Sequence, residues 1–187
     1  MTDAAVWIVR TTHGASVDTV LRDLLGRALG TDPNGLAFDR RCAYCNHPTH
    51  GKPAVVGAPD LSFSLSHSGT VTVIAVAPGA RVGADVEVIR PRRYLDRLAA
   101  RILTPAELAY WQGLPVPERL PMFLRHWTER EAYLKGLGLG LTRPLRDALA
   151  DAGGWTLAPI DGLDDAVGTV ALEGEGRVLA SVEAAVP

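Results

Sequence analysis

The sequence predicts an α+β fold, and three observations carry that prediction. Strand-like segments with one early helix fill the chain up to about Arg90, two helical patterns follow Pro91, and strand patterns return over the last forty residues. Each half therefore reads as a helix plus about three strands, with the crossover near Arg90–Leu95. At 187 residues the chain can form one full core, or two small subdomains that share one. No sequence repeat aligns one half with the other.

The elements follow in order. "AVWIV" has the composition of a short strand. Val17, Val20, Leu21, Leu24 and Leu25 then recur at helical spacing, with Ser16 or Asp18 available as the cap and Gly30 as the stop. "TDPNG" is a turn, and Arg40 to Pro59 reads as irregular, rich in His, Pro and Gly. "LSFSL" alternates serine with apolar residues as a half-buried strand does, and is expected to stop at "SHSG". "TVTVIAVA" is a β-branched apolar run suited to a central strand, and "VGADVEV" is the next one. In "LTPAEL", Thr104, Pro105 and Glu107 occupy the N-cap, N1 and N3 positions of a capping box. A long helix is expected from about Arg119 to Leu137, ended by the glycines at 136, 138 and 140. "GWTLAP", "AVGTVAL" and "RVLASVEAAV" are the closing strands.

Composition narrows the function. With 47% apolar and 21% charged residues the chain is a soluble globular protein, not a disordered one. A net charge of −2 gives no global basic field for nucleic acid or an anionic membrane, although Arg90, Arg92 and Arg93 cluster locally. No apolar run reaches the roughly 20 residues that span a bilayer, and "MTDAAVWIVR" lacks the basic start of a signal peptide. Cys42 and Cys45 stand three apart and make no secreted disulfide framework. A cytoplasmic protein is expected.

The chemistry starts at "VGADVEVIR". Asp85 and Glu87 lie two apart on one strand, so their carboxylates leave the same face and repel unless something positive lies between them. In "FLRHWTEREAYLKGLGLGL", Phe123, Trp127, Glu131 and Lys135 stand four apart and share a helix face. Taken alone, Glu131 and Lys135 read as an amphipathic helix with a surface ion pair. Beside Asp85 and Glu87, Glu131 completes an all-oxygen set suited to Mg²⁺.

A magnesium site points to a phosphate substrate. "HGKP" offers Lys52 on a loop stiffened by Pro53, with Gly51 allowing close approach of a ligand. "SLSHSG" places Ser66 and His67 at a strand end beside Gly69, where a histidine also serves as a local turn-stabilising hydrogen bonder. None of these signals is specific by itself. In series, GKP, F-x-x-S-H-S, G-x-D-x-E and W-x-x-x-E-A-x-x-K resemble the signature of the 4′-phosphopantetheinyl transferases of the surfactin-synthetase-activating type. The resemblance runs from about Gly51 to Leu141 and includes "RILTPAEL".

The resemblance implies transfer of 4′-phosphopantetheine from coenzyme A to a serine of an apo acyl or peptidyl carrier protein, with release of adenosine 3′,5′-bisphosphate. It implies a pseudo-twofold pair of similar α+β halves, each a helix on a small, mostly antiparallel sheet, with the active site in the cleft between them. The halves would be residues 1–92, carrying the coenzyme A contacts with Asp85 and Glu87, and 93–187, carrying the long helix. Asp85, Glu87 and Glu131 would hold Mg²⁺, or Mn²⁺, against the pyrophosphate. Lys52, Ser66 and His67 would contact coenzyme A. Glu131 would take the proton of the attacking serine and Lys135 would stabilise the leaving bisphosphate, while Trp127 sets the helix against the core. Longer relatives grip the 3′-phosphate with basic residues of an extra N-terminal portion, for which Arg40 and Arg41 are the expected substitutes. No nucleic acid, membrane or second copy of the chain is implied. In the motifs, Ala84 and Ser64 depart from the family's preferred residues, Arg130 keeps a usual positive charge, and Glu129 has no assigned role.

Two further stretches complete the reading. In "CAYCNHPTHGKP", Cys42, Cys45, His47 and His50 are all zinc-ligand types, but four ligands within nine residues crowd the usual spacing. Reduced thiols and histidines on a loop near the coenzyme are expected instead. The glycines of "GLGLGL" follow a helix rather than open one, so they are no dinucleotide fingerprint. Two other classes compete with the transferase: another Mg²⁺-dependent phosphoryl enzyme such as a nuclease or phosphatase, and a non-catalytic carrier- or zinc-binding module. The near-neutral charge disfavours a nucleic-acid substrate, and the intact Asp85, Glu87, Glu131 and Lys135 set disfavours a non-catalytic module.

Overall fold

A computed structural model of the chain describes residues 3–11, 17–42, 45–140 and 144–186. In order, the elements are β1 (Ala4–Thr11), α1 (Val17–Leu29), β2 (Phe38–Asp39), β3 (Ala54–Val55), β4 (Leu61–Ser68), β5 (Val71–Pro78) and β6 (Val82–Val88). Then come α2 (Leu95–Ile102), α3 (Pro105–Gly113), α4 (Val116–Leu137), β7 (Trp155–Pro159), β8 (Ala166–Glu173) and β9 (Val178–Val186). The fold is mixed α+β. Among the described residues no helix is long and apolar enough to cross a membrane.

One four-stranded sheet runs β4-β5-β1-β9, antiparallel except for the parallel pair β1–β9. A three-stranded antiparallel sheet runs β6-β8-β7. The chain thus crosses between sheets twice: β6, from the first half of the sequence, pairs with β8, and β9, from the end, pairs with β1. β5 is the central strand its composition predicts, and Val71–Ala77 are all buried. Helix α1 covers one face of the larger sheet through Val20, Leu24 and Leu25, which pack with Phe63, Ile74 and Val76.

Several boundaries differ from the sequence reading. β4 runs on through His67 to Ser68. α4 begins at Val116, three residues before Arg119, and carries Pro121 in its second turn, at the loss of one intrahelical donor. "TDPNG" is a single 3₁₀ turn, Pro33–Gly35, capped by Asp32. The 40–59 stretch is bracketed by a two-stranded ribbon, Phe38 opposite Val55 and Asp39 opposite Ala54. Ser16, one proposed cap of α1, lies outside the described residues, and Asp18 sits within the first turn. The capping box at Thr104 is formed: Thr104 Oγ1 accepts from the Glu107 N–H, and Glu107 Oε2 accepts from the Thr104 N–H.

The serines of β4 do not face solvent. They lie against β6, the edge strand of the other sheet. Ser62, Ser64 and Ser68 hydroxyls accept from the N–H groups of Val82 (3.1 Å), Ala84 (3.0 Å) and Val88 (3.2 Å). Alternate side chains of one strand thus satisfy the open backbone edge of the next, joining the two sheets where a ladder does not. Alternation places the serines on one face, but it does not say what that face meets.

Candidate functional site

Three elements converge on the acidic pair. β6 presents Asp85 and Glu87, β4 presents Ser66 and Ser68, and α4 crosses β6 at two glycines. A Cβ built on Gly83 would lie 1.9 Å from the Ala132 carbonyl oxygen, and one on Gly136 would lie 2.6 Å from the Trp155 ring. Only glycine permits this approach of strand to helix. It brings the side chain of Lys135, one residue before Gly136, onto Asp85, two residues after Gly83.

Lys135 Nζ lies 2.6 Å from Asp85 Oδ1 and 2.9 Å from Ser66 Oγ, and Ser66 donates in turn to the same Oδ1 at 2.8 Å. Glu87 Oε2 accepts from Ser68 Oγ at 3.0 Å and from Arg92 at 2.5 Å. The repulsion between the two strand carboxylates is therefore met by a separate cation on each. Arg92 was legible only as part of a basic cluster; its partner is five residues back, across the turn that follows β6.

Leu65, Ser66, His67, Asp85, Val86, Glu87, Trp127, Glu131 and Lys135 line a cavity of about 330 Å³. Trp127 also packs on Phe123, with ring centroids 6.2 Å apart, so one face of α4 serves both core and cavity. Burial pushes the Asp85 carboxyl above its ordinary range, outweighing the pull of Lys135 and Ser66. Burial likewise raises Glu131, and the charge of Asp85 adds to it. Asp85 Oδ2 is buried without a hydrogen-bond partner. An orphan oxygen in a cavity that two further carboxylates also line is the donor chemistry a hard divalent cation needs, so Asp85, Glu87 and Glu131 fit one by donor type, although their oxygens do not all lie within 4.8 Å of one another.

A second cavity, about 450 Å³, shares Leu65 and Lys135 with the first. Its other lining residues include Phe38, Arg40, His50, Gly51, Lys52 and Phe63. Arg40 and Lys52 thus lie on this wall, and Arg41 does not: its backbone N–H bonds Asp39 and its side chain reaches Asn46. Lys52 is committed to the protein. Its ammonium donates to Val82 O (2.6 Å), Ser62 Oγ (3.1 Å) and Gly136 O (3.3 Å), tying together β4, β6 and the end of α4. Burial lowers its pKa to about 8.

Two residues without an assigned role also find one. Arg130 is buried, and its Nη2 donates to both carboxylate oxygens of Glu107, at 2.9 and 2.7 Å, so the capping box of α3 is held by α4. Glu129 pairs with Arg125 at 3.2 Å.

Residues 81–179 match the family described as the 4′-phosphopantetheinyl transferase superfamily. The chain belongs to this superfamily. Among curated relatives, the 4′-phosphopantetheinyl transferase HetI of Nostoc sp. is 33% identical over 84% of this chain and 69% of its own length. A 4′-phosphopantetheinyl transferase of Bacillus subtilis is 31% identical over 68% of this chain. The AcpT enzyme of Escherichia coli K12 is 39% identical over 47% of it. This chain spans about half the length of the latter two relatives (53% and 45%).

Proposed function

We propose that the paired cavities transfer the 4′-phosphopantetheine group of coenzyme A to a serine hydroxyl of an apo acyl or peptidyl carrier protein, releasing adenosine 3′,5′-bisphosphate. The observation that carries this reading is the convergence of Asp85, Glu87, Glu131 and Lys135 on one cavity that shares a wall with a larger one. The larger space suits the nucleotide, flanked by Arg40 and Lys52, and the smaller one suits the diphosphate. Membership of the superfamily supports the same assignment.

In this mechanism the serine oxygen attacks the phosphorus that bears pantetheine, and the bond from that phosphorus to the bridging oxygen breaks. Glu131, on the helix face that lines the cavity, takes the serine proton. Lys135 follows the departing bisphosphate and offsets its growing charge. Ser66 and His67 contact the diphosphate from the end of β4. Asp85, Glu87 and Glu131 would hold a divalent cation, Mg²⁺ in this reading, which supplies charge neutralisation for the diphosphate when bound. Displacing Lys135 from Asp85 would free it for this role.

Lys52 acts here chiefly through the wall it braces, since its three protons already have acceptors. Arg40 faces the nucleotide, and Arg41 supports the turn beside it. We further propose a two-unit architecture, divided near residue 92, in which the strand exchange of β6 and β9 locks the cleft. Every group named comes from one chain, so a monomer suffices.

The test is the intact mass of an apo carrier protein incubated with this protein, coenzyme A and Mg²⁺. A gain of one phosphopantetheine is expected. A series of acyl and peptidyl carriers that all stay unmodified, with nuclease or phosphatase turnover in their place, would overturn the reading.

A further inference from the structure

The loop between β2 and β3 brings together side chains that the transfer reaction does not use. Cys42 leaves one arm, Cys45 the turn that follows it, and His50 the returning arm. One ligand atom from each lies within 4.8 Å of the other two, and Cys45 Sγ is 3.1 Å from His50 Nε2. Neither cysteine is in a disulfide.

The backbone shows why nine residues suffice. The Cys42 N–H donates to the His47 carbonyl at 2.8 Å, and the Asn46 N–H donates to the Cys42 carbonyl at 2.8 Å. Asn46, at φ 59°, takes the left-handed conformation that lets the chain double back. The Gly51 N–H then closes on the Arg40 carbonyl at 2.7 Å, and a Cβ on Gly51 would meet the Arg41 carbonyl at 2.4 Å. The crowding expected from linear spacing is thus relieved by a tight hairpin, which sets ligands from its two arms face to face. The ring of His47 stands beside that of His50, centroids 4.7 Å apart, with Nδ1 3.4 Å from both the backbone N and Oγ1 of Thr49.

We propose that this hairpin is a structural zinc site, with Cys42, Cys45 and His50 as ligands and His47 turning in as the fourth. Tetrahedral Zn²⁺ with bonds near 2.3 Å to sulfur and 2.0–2.1 Å to nitrogen needs ligand atoms about 3.3–3.8 Å apart. The three assembled atoms need only small side-chain rotations to reach that. Two thiolates and two imidazoles select zinc over the hard cations suited to the carboxylate site. Binding releases the two thiol protons, and the paired thiolates balance the dipositive charge. The metal would pin one wall of the larger cavity, because Arg40, His50, Gly51 and Lys52 all line it.

The test is metal content of the full-length protein, with an activity-independent readout. Purified without chelator, it is expected to hold close to one zinc per chain. Co²⁺ in its place is expected to give tetrahedral d–d bands and thiolate-to-cobalt charge-transfer absorption. Cys45→Ser is the informative variant because Cys45 is exposed, whereas Cys42 is buried. It should keep the native far-ultraviolet circular dichroism and lose zinc affinity by at least about 100-fold. His47→Ala should weaken binding as well; unchanged affinity there would overturn the fourth ligand. Negligible zinc with no cobalt charge transfer, equal zinc in Cys45→Ser, or a native Cys42–Cys45 disulfide by mass would each overturn the site.

Discussion

Lys135 Nζ and Asp85 Oδ1 lie 2.6 Å apart, bound to each other and to one serine hydroxyl, where helix α4 crosses strand β6. The Asp85 side chain is only 7% exposed and that of Lys135 is 32% exposed, so the lysine is the movable member. A cation that can leave a buried carboxylate for a substrate phosphate links the resting fold to the proposed reaction.

Lys135→Ala removes that cation and leaves Asp85 buried with Ser66 alone. On the proposed reading, carrier loading falls about 10²–10³-fold, the scale of losing one preorganised charge-stabilising donor. Initial rates of holo-carrier formation check this. A change below threefold would place Lys135 outside the reaction.

Glu131→Gln should separate function from stability. The folded pKa of Glu131 lies above its unfolded value, so the folded state binds more protons over that window. The stability this contributes is full below the unfolded pKa and is lost as pH rises through the folded one. The neutral isostere escapes that loss, so the variant should melt higher than the native protein at pH 7 and nearly level with it at pH 4. It should also lose transfer activity. Melting curves at the two pH values decide the first point.

Lys52 carries the opposite pH signature. Its folded pKa, about 8, is below the value of 10.5 for an unperturbed lysine. Between those values the unfolded chain binds more protons, so stability should rise with pH, by roughly 2 kcal/mol across the window. Urea denaturation at pH 7 and pH 10 measures the rise, and Lys52→Met should abolish it.

Gly83→Ala tests the crossing point. The new methyl would overlap the Ala132 carbonyl at 1.9 Å, which neither backbone can yield cheaply. A destabilisation of about 3 kcal/mol or more is expected. Gly113→Ala, with nothing within 4 Å, should be neutral or slightly stabilising. Equal midpoints for the two variants in denaturant would refute the close approach.

What the sequence disclosed follows from what periodicity encodes. Alternation in "LSFSL" and the β-branched run of "TVTVIAVA" mark strands, and Thr104 with Glu107 marks a helix start, because each signal is local. Partners are not local. Nothing in the spacing said that the serines of β4 would bond the edge of β6, or that β9 would pair with β1. The same limit hid the ammonium of Lys52 among protein acceptors, 30 and 84 residues away. It hid Arg92 on Glu87, and it gave no sign that Cys42, Cys45 and His50 would meet at a hairpin. The acidic pair and the α4 face were legible because each lies on one element; their meeting depended on two glycines whose purpose appears only in three dimensions.

The most direct measurement of the central claim is the rate of carrier loading by Asp85→Asn at saturating coenzyme A and Mg²⁺. Asparagine keeps the shape and the hydrogen bond from Ser66 but removes the buried charge. A fall of about 10³-fold or more, in protein that still melts cooperatively, is the predicted result. A rate within threefold of the native protein would contradict the carboxylate site as the seat of transfer.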